Sequence, residues 1–224
     1  MAHAVDRIPI GEPGAVFEQF EDLEQQNDTY IVGMWAFLVT EIMFFGALFL
    51  MYTVYRWKYQ DEWFLVHKTL SIPMGATNTV ILLLSSFTMV MAVHYAQKMD
   101  KMKHIMMLLA TCGFASLFLV IKFFEYSGKF TKGLFPGATF QWKDPAVASG
   151  PAELFYSLYF AMTGLHGLHI VIGILIIGAL AFMVWRDHKH VRADYIPTEL
   201  IGLYWHFVDL VWIFLFPLFY LMPR

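Results

Sequence analysis

The chain has 224 residues, of which 58% are hydrophobic, 18% aromatic and only 15% charged. A soluble domain is typically about 45–50% apolar and about 25% charged, so this composition excludes a disordered chain and an ordinary soluble enzyme and points to a polytopic membrane protein. The net charge of −3 gives no globally basic surface for nucleic acid, and the single cysteine, Cys112, permits neither an internal disulfide nor a cysteine cluster for a metal.

Residues 1–29 form an acidic arm carrying Glu18, Glu21, Asp22, Glu24 and Asp28, with no apolar core of the kind a signal peptide requires. It reads as a surface extension that docks on a partner or as a solvated tail. Five apolar stretches follow, near residues 30–55, 72–96, 104–124, 152–185 and 199–222. Each is long enough for a hydrocarbon core about 30 Å thick, which takes roughly 20 residues of helix. Lipid satisfies no backbone hydrogen bonds, so long unbroken runs predict helices, and the fold class is all-α: a bundle of five transmembrane helices. The longest connection, residues 127–151, contains Gly133, Pro136, Gly137, Pro145, Gly150 and Pro151 and predicts irregular structure. Lys98, Lys101 and Lys103 crowd the shortest connection, and Arg186, Lys189 and Arg192 crowd another. Their density predicts the amino end inside and the carboxyl end outside.

A charged side chain at a helix centre costs at least about 2.5–3.5 kcal/mol, so each one inside a span needs a reason. Glu41, in the first span, lies about 16 Å beyond Tyr30 at 1.5 Å per residue. It must be protonated or paired. It is either a proton-exchanging or lipid-sensing acid at a cleft, or a protonated acid joining two helices. In the second span, Asn78, Thr79, Ser85, Ser86 and Thr88 make a polar stripe suited to helix–helix hydrogen bonds. Lys122 and Glu125 fall near the end of the third span, where Lys122 can extend to the headgroups.

In the fourth span, His166 and His169 are spaced i,i+3 on a face that Gly173 continues, and Gly164 and Gly167 would let another helix come close. The histidines read as metal or haem ligands, or as a hydrogen-bonding pair locking neighbouring helices. In the fifth, His206 and Asp209 repeat the i,i+3 spacing, and the aspartate is expected to orient the imidazole. Trp205 and Trp212 suit the interfacial aromatic belt. The 14 methionines read as packing rather than copper ligands. The sequence contains no phosphate-binding glycine loop, no nucleophile beside a base and no CxxCH haem attachment, so it carries no complete catalytic constellation.

The blocks GMWAFLVTEIMFFGALF, NTVILLLSSFTM, FFEYSGKF, FYSLYFAMTGLHGLHIVIG and LYWHFVDLVWIFLFPLFYL occur in the order seen in subunit III of haem-copper cytochrome oxidases. They cover all five spans, and TGLHGLHIVIG and YWHFVDLVW are the most specific. The chain resembles the short five-helix bacterial type, because the acidic arm leads straight into the helix of Glu41 where seven-helix members have two more. A related accessory protein of nitric oxide reductase shares the five-helix plan. A proton-coupled transporter using Glu41, and a di-haem cytochrome using His166 or His169 with His206, are readings from other classes.

The resemblance implies a non-catalytic subunit of a cytochrome c or quinol oxidase that reduces O₂ and pumps protons. It implies no cofactor in this chain, with haem and copper in partner subunits. Subunit I is the implied main partner, with subunit II, further respiratory-complex subunits and bound phospholipid around it. The implied location is the bacterial cytoplasmic membrane, with the amino end cytoplasmic and the carboxyl end periplasmic. Glu41 matches the family's carbodiimide-reactive buried acid. His166, His169, His206, Asp209 and Glu199 match positions of helix packing or of a lipid cleft. Arg186 lies near the family's headgroup position, and Arg192, basic and near a span end, suits lipid headgroups as well.

Overall fold

The structure, a computed structural model, describes residues 19–187 and 195–221. Six helices occupy them: α1 (Leu23–Lys58), α2 (Gln60–His67), α3 (Ile72–Gln97), α4 (Lys101–Thr131), α5 (Ser149–Trp185) and α6 (Ile196–Tyr220). No strand occurs among the described residues. All but α2 are long and apolar enough to cross a membrane, so the five expected spans are present.

Two helices, α1 and α4, run past both ends of their apolar runs, and the ends explain why. α1 begins in the acidic arm because Asp22 caps it, its carboxylate accepting from Gln25 N–H at 2.7 Å. Glu24 then complements the helix dipole in the first turn. α4 begins at Lys101, where Asp100 accepts from Lys103 N–H at 3.3 Å. The Lys103 ammonium, 3.0 Å away, holds the Asp100 carboxyl below the usual carboxylate range. At its other end α4 continues to Thr131 and closes on Gly133, whose φ of 69° suits the left-handed turn that ends a helix. Met99 makes the same turn after α3 at φ 58°, giving its N–H to Ala96 O while Asp100 N–H bonds Tyr95 O. Asp100 thus ends one helix and starts the next, which lets α3 and α4 run back to back with only three residues between them.

α3 packs most extensively against α4 and then against α6, while α1 leans only lightly on α6 and α5. Only 11% of the most apolar stretch of α1 is buried, against 50% of that of α6, so α6 is the centre of the bundle and α1 its outrigger. Two ties hold the far end of α1 and its connection. Tyr52 donates to Leu218 O at 2.5 Å, and Trp63 of α2, fully buried, donates to Pro151 O at 3.0 Å.

The close helix approach expected at Gly164 and Gly167 occurs elsewhere. A Cβ at Gly167 would meet nothing within 4 Å, and one at Gly164 only the Tyr126 hydroxyl at 3.9 Å. At Gly173 it would lie 2.6 Å from Trp205 Cζ3. Trp205 cannot yield, because it is fully buried and its indole donates to Ser85 Oγ at 3.1 Å. Gly173→Ala should therefore destabilise the detergent-solubilised chain by about 1–3 kcal/mol through overpacking. Gly167→Ala should be neutral or stabilising by up to about 1 kcal/mol. Denaturant unfolding followed by circular dichroism checks both.

Candidate functional site

Glu41 lies about 26 Å from either end of α1 at 1.5 Å per residue, at the depth where an unpaired carboxylate is most costly. Its Oε2 is 3.1 Å from His169 Nε2 of α5, and both side chains are largely buried. His169 Nδ1 lies 2.8 Å from Leu165 O, which can only accept, so Nδ1 carries a hydrogen. Nε2 then has a lone pair unless the ring is charged. The contact with Glu41 consequently requires one proton, carried on the carboxyl or on the imidazole. The pair is net neutral either way, which suits the membrane interior. Phe45 packs edge-on to His169 at 5.2 Å, and Tyr204 of α6 donates to His169 O at 3.0 Å. Three helices therefore meet at this couple.

His166, one turn earlier, lies on another side. It is fully buried, stacked on Trp212 at 5.2 Å and edge-on to Phe118 at 5.6 Å. Neither ring nitrogen has a hydrogen-bond partner. The two histidines do not form a pair, because an i,i+3 spacing on α5 spans the boundary between the bundle interior and the α1 seam. Trp205 and Trp212 are likewise fully buried rather than interfacial. The polar stripe of α3 explains this: Thr79 Oγ1 accepts the Trp212 indole at 3.1 Å, as Ser85 accepts that of Trp205. Thr88 continues the stripe with a 2.8 Å bond to Thr111 of α4.

Lys122 does not extend to the headgroups. It lies about 14 Å inside the end of α4, because that helix runs past residue 124 to Thr131. Its ammonium is buried and bonds Glu125 at 3.0 Å and the Tyr220 hydroxyl at 2.8 Å. Tyr220 in turn donates to Glu125 Oε1 at 2.7 Å. Trp212 lies 4.7 Å beneath the ammonium, with Tyr159 and Tyr220 rings at 5.2 and 5.3 Å. The interior charge is thus neutralised within one helix and closed by tyrosines from two others. The i,i+3 spacing of Lys122 and Glu125 is visible in the sequence, but the inward direction is not.

His206 and Asp209 are not joined as expected. His206 Nδ1 is 2.8 Å from Ser86 Oγ of α3, which takes the position expected for the aspartate. Asp209 is buried, and neither carboxyl oxygen has a hydrogen-bond partner, although Ser86 faces it. At the amino-end side of the bundle, Glu199 is exposed in the first turn of α6. Arg186 is exposed at the end of α5, its guanidinium over the Phe182 ring at 5.4 Å. Beside it Lys101 pairs with Asp187 at 2.6 Å and caps Trp185 O at 2.9 Å. Arg192 and most of the acidic arm, residues 1–18, lie outside the described residues. Among the described residues, no group of three or more His, Cys, Asp or Glu side chains could hold a metal ion.

A family model described as Cytochrome c oxidase subunit III matches residues 24–223 of the chain. A protein named Cytochrome c oxidase subunit 3 from Thermostichus vulcanus is 30% identical, over 89% of this chain and 90% of its own length. The Probable cytochrome c oxidase subunit 3 of Nocardia farcinica is 29% identical, over 94% of this chain and 97% of its own. The Heme-copper oxidase subunit I+III of Aeropyrum pernix is 28% identical over 84% of this chain, which matches 22% of that longer protein.

The two polar couples have separable signatures. Glu125→Gln leaves the Lys122 ammonium buried without its counter-charge and should cost about 3–5 kcal/mol, whereas Lys122→Met with Glu125→Gln should recover most of that loss. A double-mutant cycle on denaturant unfolding reads it. Glu41→Gln keeps a donor for His169 Nε2 and should leave unfolding unchanged within about 0.5 kcal/mol, whereas Glu41→Leu should cost about 1–3 kcal/mol by stranding the imidazole. Equal losses in the two Glu41 variants would exclude the shared-proton geometry.

Proposed function

The chain belongs to the cytochrome c oxidase subunit III family, and from this premise we propose that it serves a proton-pumping haem-copper oxidase without redox centres of its own. It packs on subunit I, binds structural phospholipid and sustains proton uptake. The observation that carries this reading is the Glu41–His169 couple, a net-neutral polar pair set where the lightly packed α1 meets α5. A polar pair at that seam fixes the angle of α1 while leaving its flanks apolar, which suits acyl chains lying against the bundle. Support for subunit I as partner comes from the Aeropyrum pernix relative, whose name joins subunits I and III in one protein. Subunit II is a further partner in the same complex.

The amino end is proposed to face the cytoplasm of a bacterial cell and the carboxyl end the periplasm. Arg186 then lies at the cytoplasmic surface, where a cationic side chain attracts phospholipid headgroups, with Glu199 at the same level, and the basic charge of Arg192 in the same connection adds to that attraction. The buried pairs hold helices that shape the surroundings of subunit I, and lipid held there limits its distortion during turnover.

Oxidase depleted of this chain should keep most of its initial O₂ uptake at acidic pH. Its rate should fall at alkaline pH, where proton delivery becomes limiting, and it should inactivate progressively with turnover. O₂ uptake against time at two pH values, with and without the chain, is the measurement. Complete loss of activity in the first turnovers would place the chain in the catalytic machinery and overturn the proposal. An unchanged pH profile and lifetime would reduce its role to assembly.

A further inference from the structure

Several outward-facing polar side chains of the spans are closed within the chain. Thr40 donates to Phe37 O at 2.6 Å, Thr53 to Phe49 O at 2.8 Å and Ser116 to Cys112 O at 2.8 Å. Glu41 and His169 satisfy one another. None of these needs anything from outside the chain.

The seam between α3 and α6 is different. His206 is half-buried there, and its Nδ1 is taken by Ser86. Its Nε2 makes no hydrogen bond with a described residue. Asp209, one turn along α6 and 4% exposed, is enclosed beside Ser86 with neither carboxyl oxygen open to the outside, so the group left for a partner is His206 Nε2. Leu83, Phe87 and Val90 of α3 and Leu210 and Ile213 of α6 are exposed around this spot. His206 is about 15 Å from the start of α6, and Ser86 is about 16 Å from the end of α3, too deep for lipid headgroups to reach. Acyl chains offer no hydrogen bonds, whereas a neighbouring membrane helix does.

We infer that the α3/α6 face around Ser86 and His206 is the surface on which a transmembrane helix of subunit I docks, bringing an amide or hydroxyl, either of which can donate or accept, to His206 Nε2 at mid-membrane. This rests on the proposed packing against subunit I and adds the face and the chemistry of the contact. The outer face of α4, with Leu109, Leu117, Val120, Phe123 and Phe124 exposed and Ser116 closed on its own helix, is left to lipid.

The test uses the intact oxidase with a benzophenone amino acid placed singly at Phe87, Leu210, Val120, Phe124 or Met43. These are exposed positions where the substitution leaves the fold alone. Adducts identified by mass spectrometry should contain subunit I from Phe87 and Leu210, and lipid from Val120 and Phe124. His206→Phe, which keeps the bulk and removes the hydrogen bonds, should speed loss of the chain from the complex in detergent about threefold to tenfold. Subunit I adducts from Val120, Phe124 or Met43, with only lipid at Phe87 and Leu210, would overturn the docking face while leaving the complex intact. An unchanged dissociation rate in His206→Phe would overturn the polar contact. A chain that neither co-purifies with nor cross-links to subunit I would instead overturn the proposed function itself.

Discussion

Hydrocarbon neither donates nor accepts hydrogen bonds, so a polar group carried into the membrane is stabilised by a partner brought by another helix or by its own backbone. In this bundle that constraint converges on α6. The indoles of Trp205 and Trp212 lock it to the hydroxyl stripe of α3, and the Tyr220 hydroxyl joins it to the Lys122–Glu125 pair of α4. Tyr204 ties it to the α5 backbone at His169. Each bond links residues far apart in sequence, so none of these partners is set by local structure. The arrangement fixes helix rotation as well as contact, since a turned α6 would strand two indoles and take Tyr220 away from the Lys122–Glu125 pair at once.

The same constraint separates a rigid centre from a lighter edge. Buried charge near the centre is neutral as a unit, because Lys122 and Glu125 share one helix and enter the membrane together. At the edge α1 is held at three levels, by Glu41 at His169, by Tyr52 at Leu218 and through Trp63 at Pro151. Between these ties its surface is apolar and open, with Met43, Leu50 and Val54 exposed. A helix fixed at points rather than along its length leaves room for acyl chains beside it, which is the physical content of the lipid-binding role proposed for this chain.

Polar residues in the spans thus divide by what completes them. Some are complete within the chain and stabilise the fold. His166 and Asp209 are enclosed in the bundle without hydrogen-bond partners, whereas half-buried His206 lies where α3 and α6 present an otherwise apolar surface. At His206 the unfilled hydrogen bond faces outward, and the proposed docking of subunit I is what would complete it.

The sequence by itself determined the number of spans, their order and the residues that needed explaining, because apolar length and charge cost are local properties that a linear reading captures. The five ordered blocks were enough to suggest the family before any contact was seen. Helix ends were less legible: the capping by Asp22 and Asp100 carries α1 and α4 beyond their apolar runs. Only the tertiary structure decided which neighbours complete each polar group. It separated His166 from His169, gave Glu41 to His169 and replaced Asp209 by Ser86 at His206. It also moved the close helix approach to Gly173 and turned Lys122 inward. An i,i+3 spacing says that two side chains leave a helix on adjacent lines, but whether they share a partner depends on where the next helix crosses, and that angle is set by packing among all six.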